Sequence, residues 1–102
     1  MDSLDKIRRI NQHLEERFPK HNDPFHILAR LMEECGELAE QVHLFEDVGV
    51  KRKKLGEPSR IALAKEAQDV LRAVLQLVDV YGASAELDQS IDRSFQHATL
   101  AT

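Results

Sequence analysis

Apolar residues recur along this chain at intervals of three and four, with no sustained alternation of the kind a half-buried strand needs, so the pattern predicts helices only. Leu4, Ile7, Ile10, Leu14 and Phe18 mark a first helix from about Ser3 to Phe18, with Ser3 as its cap. Pro19 and the run His21-Asn22-Asp23-Pro24 end it. A second helix opens with Asp23 as N-cap and Pro24 at the first helical position, and runs to about Asp47. Its stripe is Ile27, Leu28, Leu31, Cys35, Leu38, Val42 and Phe45. A polar loop, Val48 to Pro58, carries the basic run Lys51-Arg52-Lys53-Lys54. The third helix starts near Ser59 and reaches Tyr81, where Gly82 is a good stop; Leu63, Ala67, Val70, Leu71, Val74, Leu77, Val78 and Tyr81 line one side. A fourth begins at the Ser84 cap with Leu87, Ile91 and Phe95 as a narrow apolar face, and Thr99 to Thr102 are expected to fray. Four helices with short connections predict one all-α domain over residues 1–102, an antiparallel four-helix bundle-like unit. Ala64 and Leu75 lie off the main stripe of the third helix, which implies more than one buried surface.

Four carboxylates interrupt this pattern. With about 100° of rotation per residue, Ile27 and Phe45 fall about 20° from Glu34, and Leu38 about 40°. Glu34 therefore borders the apolar stripe, and Glu37, three residues on, faces the same way. The third helix repeats the arrangement: Glu66 lies about 40° from Val70, and Asp69 follows three residues later. Ala62 and Ala73 flank these acids and leave room for a ligand. One such pair is ordinary on a solvated helix face. Two pairs beside stripes that must pack together bring four negative charges close, which is unfavourable without a counter-charge. A divalent cation is the economical solution. Oxygen donors alone, without Cys or His in the register, favour Mg2+ or Mn2+ over Zn2+, and the implied chemistry is metal-assisted attack of water on a phosphoryl group.

Composition narrows the remaining choices. The net charge of -4 argues against binding a nucleic-acid polymer, which needs a basic face, but not against binding one nucleotide. A single cysteine, Cys35, excludes an internal disulfide and a Cys-based zinc site; it is expected as an inert core thiol. No apolar run approaches the roughly 20 residues of a membrane span, and the N-terminus carries no signal pattern, so a cytoplasmic location without membrane partners is expected. With 102 residues and 5% aromatics, the core is small, and oligomerisation is expected to complete it.

Glu33-Glu34-Cys35-Gly36-Glu37-Leu38, followed by Glu66-Ala67-Gln68-Asp69, resembles the Glu-Glu-x-x-Glu … Glu-x-x-Asp signature of the all-α nucleoside triphosphate pyrophosphohydrolases, in the form seen in MazG-like members. The similarity covers roughly Ile27 to Gly82. It implies that Glu34, Glu37, Glu66 and Asp69 are magnesium ligands, and that Glu33 binds a second metal or orients the attacking water. The implied reaction cleaves a nucleoside triphosphate between its α- and β-phosphates to a monophosphate and pyrophosphate, with house-cleaning of non-canonical nucleotides as a role. The implied assembly is a homodimer or homotetramer. Many relatives carry Lys, Asn and Arg after the second motif to hold the phosphates. Here Arg93 is the only basic residue beyond Tyr81 apart from His97.

Lys51, Arg52, Lys53 and Lys54 are candidates for the missing phosphate contacts, against the alternative of a solvated loop. Lys65 and Arg72 have wheel positions pointing away from the stripe and are expected in surface ion pairs. Glu40 and His43 form a lone Glu-x-x-His, one short of a di-iron set. Phe18 and Phe25 are expected as core residues. The competing reading is a non-catalytic helical homo-oligomer that binds a nucleotide or metal, or serves as an interaction module.

Overall fold

The computed structural model describes residues 1–46 and 56–100, which form four α-helices: α1 (Ser3–Arg17), α2 (Pro24–Phe45), α3 (Arg60–Val80) and α4 (Ser84–Leu100). No strand occurs among the described residues. The local start signals act as their chemistry demands. Asp23 caps α2, accepting from the His26 amide, with Pro24 where its missing N–H costs nothing, and Ser59 caps α3 through the Ala62 amide. Gly82, at φ +66°, ends α3: its amide donates to Asp79 O at 2.9 Å and the Ala83 amide to Val78 O at 3.0 Å, the paired bonds of a Schellman stop.

Three boundaries differ from expectation. Asp2, not Ser3, caps α1, accepting from the Asp5 amide at 2.9 Å; a carboxylate one residue earlier leaves Ser3 free to enter the helix. Ser84 is the first residue of α4 rather than its cap, because Ala83 already accepts the first helical bond from Leu87. The last helix, α4, includes Thr99 and Leu100, with the Thr99 hydroxyl donating back to Phe95 O and Gln96 O, and 101–102 lie outside the described residues.

Pairings across the seams give the topology. Arg30 reaches Gln76, Glu34 and Asp69 share a cavity, and Glu37 meets Glu66, so numbers rise in α2 as they fall in α3 and the two helices are antiparallel. Asn11 pairs with Arg72 and Glu15 with Gln76, a constant offset that makes α1 parallel to α3. Helix α3 is the hub: α2 packs along it most extensively, α1 and α4 less so, and no Cα of α1 comes within 8 Å of one in α2. Of the off-stripe residues of α3, Leu75 is buried and Ala64 is exposed. Ala64 faces Ile7 and Ile10 of α1, and Leu75 lines a cavity with Arg8, Asn11 and Gln12.

The buried apolar core is correspondingly thin: Ile7, Ile27, Leu44, Ala73 and Leu75. The molecule measures 46 × 44 × 24 Å, a slab about two helices thick, and its radius of gyration of 16.4 Å exceeds the roughly 13 Å of a compact chain this long. Several residues expected inside are outside. Phe18 is 59% and Phe25 82% exposed, and Cys35 is exposed as well. The 3.6-residue period marks a wide stripe on α2, but α3 covers only the side that carries Ile27, Leu31, Glu34, Leu38 and Leu44.

Candidate metal centre

Two antiparallel helices bring the acids together. On α2, Glu34 and Glu37 lie one turn apart at the edge of the α3 contact; on α3, Glu66 sits opposite them. Carboxylate oxygens of Glu34, Glu37 and Glu66 fall within 4.8 Å of one another. The Glu34 and Glu66 carboxyls both come within hydrogen-bonding reach of Glu37. Burial pushes the Glu34 carboxyl above its usual range, and the charges of Glu37, Asp69 and Glu66 push it further. Burial likewise raises Glu66, reinforced by Glu37 and Asp69, while Lys65 opposes the shift.

Asp69 stands apart from this trio. Its Oδ1 lies 2.6 Å from Lys65 Nζ and 3.7 Å from Arg72 Nη1. It still shares a cavity of about 40 Å³ with Arg30, Glu34, Arg72, Ala73 and Gln76. Glu33 is exposed on the neighbouring face of α2 and does not join the cluster. The basic run Lys51, Arg52, Lys53 and Lys54 lies outside the described residues.

The residues fit a hard cation on a structural criterion as well as a chemical one. Oε2 of Glu34 and Oε2 of Glu66 are buried without a hydrogen-bond partner. Buried acceptors of this kind are costly unless something satisfies them. Two such oxygens on facing helices, beside a third carboxylate, are the donor type that a hard, oxygen-binding cation would need. Gln41 Oε1, two turns along α2 from Glu34, is buried and unpartnered too.

Sequence reasoning missed the cations beside this centre. Arg72 does not point away: it lines the small cavity with Glu34 and Asp69, and Arg30 of α2 faces it there. A second cavity of about 180 Å³ adjoins, lined by Asn11, Leu14, Glu15, Phe18 and Asn22 together with Arg30, Arg72 and Gln76. The signal available in the sequence was the i, i+4 spacing of Arg30 and Glu34 and the i, i+3 spacing of Asp69 and Arg72, which place each arginine one turn from an acid.

An all-helical chain with a carboxylate cluster across one antiparallel seam is thus the class that fold and geometry define. The chain belongs to the family of the uncharacterized protein YvdC of Bacillus subtilis (strain 168), with 32% identity over 107 residues covering 96% of this chain and 100% of that relative. No family model matches the chain, and no solved structure matches it. No described helix is long and apolar enough to cross a membrane.

Proposed function

We propose that this protein is a Mg2+-dependent nucleoside triphosphate pyrophosphohydrolase of the MazG-like kind, cleaving between the α- and β-phosphates to a nucleoside monophosphate and pyrophosphate. The observation that carries the reading is the pair of partnerless buried oxygens, Glu34 Oε2 and Glu66 Oε2, in a cluster whose Glu34, Glu37 and Glu66 carboxylates come within 4.8 Å of one another. Glu34, Glu37 and Glu66 would hold the cation, Mg2+ or Mn2+. Asp69 would join as a fourth ligand only by giving up its contact with Lys65, whose own side chain is largely exposed. A divalent ion held there polarises a phosphoryl oxygen and activates water. Glu33, exposed one residue before the cluster on the neighbouring face of α2, would bind a second metal or orient that water. Clearing non-canonical nucleotides in the cytoplasm is the role that fits this activity.

The working form in this reading is a homodimer or homotetramer. Phe25, Leu28, Met32, Cys35, Ala39 and Val42 recur at alternating spacings of three and four on the face of α2 turned away from α3, and all are exposed. That is the spacing of an a/d seam by which one helix can pair with another, and apart from α3 no described helix brings a Cα within 8 Å of one in α2. The protein exposes 7851 Å², against about 5800 Å² for a compact monomer of its mass.

Pyrophosphate release from a panel of nucleoside triphosphates, with Mg2+ and with chelator, tests the activity. Turnover of at least one nucleotide is expected, abolished by chelator and lowered about a hundredfold or more by Glu34→Gln. Absence of turnover, with metal-dependent melting still altered by Glu34→Gln, would favour a non-catalytic binding module; a protein indifferent to metal in both assays would defeat both readings.

A further inference from the structure

Arg30 and Arg72 stand between the acid cluster and the larger cavity, and their hydrogen bonds are unusual for their surroundings. Arg30 lies one helical turn from Glu34, the spacing at which an arginine ordinarily pairs with a carboxylate. It turns instead to neutral groups. Its Nη2 donates to His21 O at 3.2 Å, Asn22 Oδ1 at 3.4 Å and Gln76 Oε1 at 3.2 Å. His21 presents that carbonyl from the left-handed region, at φ +64°. Arg72 is held in the same manner: its Nε donates to Asn11 Oδ1 at 3.4 Å, while Asn11 Nδ2 donates to the Arg72 carbonyl at 3.0 Å. Its nearest carboxylate, on Asp69, is loose at 3.7 Å. Asn11 and Gln76 are the two buried polar residues of the molecule's described core, and Gln76 is itself fixed by Glu15 at 3.0 Å and Asn22 at 3.2 Å.

Buried amides therefore orient both guanidinium groups without neutralising either. Among the described residues nothing engages Arg30 Nη1 or Nε, or Arg72 Nη2, and an arginine offers five donors suited to phosphate. The two arginines line one small cavity with Glu34 and Asp69, each with guanidinium donors directed by neutral groups and with Asp69 Oδ1 3.7 Å from Arg72 Nη1.

From this geometry we infer that Arg30 and Arg72 form the phosphate clamp of the protein, taking the oxygens of a cation-bound polyphosphate that the carboxylates leave uncovered. The clamp rests on the metal reading proposed above. It replaces the basic residues that the segment beyond Tyr81 lacks. The nucleoside end of such a ligand extends into the 180 Å³ cavity, where the exposed Phe18 ring stands at the wall beside Leu14 and Asn22.

The test is calorimetric titration of the Mg2+ complex of inorganic tripolyphosphate into the wild type, Arg30→Gln and Arg72→Gln. Glutamine retains a donor for the amide partner and removes the charge. Each variant is expected to bind at least about tenfold more weakly, as for loss of a charge-assisted contact. The rise in melting temperature caused by Mg2+ alone should persist. Arg30→Lys and Arg72→Lys, which keep the charge but lose the fork, should fall in between and serve where a glutamine variant folds poorly. Unchanged tripolyphosphate affinity in the variants, or no binding by the wild type, overturns the clamp even if Mg2+ still stabilises the protein. Arginine-dependent tripolyphosphate binding without any response to Mg2+ would instead overturn the metal reading, and with it the cation-bound form of the ligand, while keeping Arg30 and Arg72 as polyphosphate contacts.

Discussion

Glu34 and Glu66 hold opposing demands at the scale of single residues. Their carboxyls are desolvated and crowded by like charges, which favours the protonated forms. A carboxyl whose pKa is raised above 4.5 by folding binds its proton more tightly in the native state than in the unfolded one. Metal-free stability from these groups is therefore greatest at acid pH and is lost as pH rises from about 4.5 through the elevated native values. Melting curves of the chelated protein should show this decline, and saturating Mg2+ should flatten it, since the cation favours the ionised forms. Glu66→Gln removes one of the crowded charges. It should raise metal-free stability by about 1 kcal/mol while abolishing the Mg2+ response. If that variant instead melts lower without metal and still responds to Mg2+, the carboxylate is a structural partner and not a ligand.

Helix ends and helix faces follow different rules. The ends are governed by local chemistry. A Cβ at Gly82 would meet nothing within 4 Å, so Gly82→Ala carries only the conformational cost of φ +66°, about 1 kcal/mol by denaturant unfolding. The faces depend on which neighbour arrives. Helix α2 presents two apolar faces, and α3 takes one. Met32, 67% exposed, sits in the middle of the other. Met32→Glu places a charge there, and sedimentation should show the wild-type assembly shifting to monomer, with helical content retained in the monomer. A wild type that is monomeric from the outset would dispose of the seam.

For the whole molecule, the open slab would tie stability to association in the proposed assembly. So few core side chains leave the single chain marginal, because the conformational entropy lost on folding is offset mainly by buried apolar surface. The melting temperature of the wild type should consequently rise with protein concentration, as it does when folding and assembly are linked. Helix α4 contributes no buried residue, and it is tied to α1 chiefly by the 2.9 Å pair of Arg8 with Asp88. Ile91, Phe95 and Leu100 remain exposed along it, a second apolar face.

The sequence by itself determined the four helices, the Asp23, Ser59 and Gly82 signals, and the placing of Glu34, Glu37 and Glu66 beside a seam. All of these depend on interactions within a few residues or on a fixed helical period. Only the tertiary structure decided which side of each stripe is covered. Phe18, Phe25 and Cys35 are apolar residues at or within helices, like Ile27, yet they lie exposed among the described residues because the packing of α2 on α3 covers Ile27 and not them. It alone also showed that Arg30 and Arg72 converge on the acids. That convergence depends on the offset between α2 and α3 and on Asn11 and Gln76, which lie 65 positions apart in the chain. A helical wheel fixes the direction of a side chain about its own axis, whereas the partner that gives the direction a consequence comes from the packing.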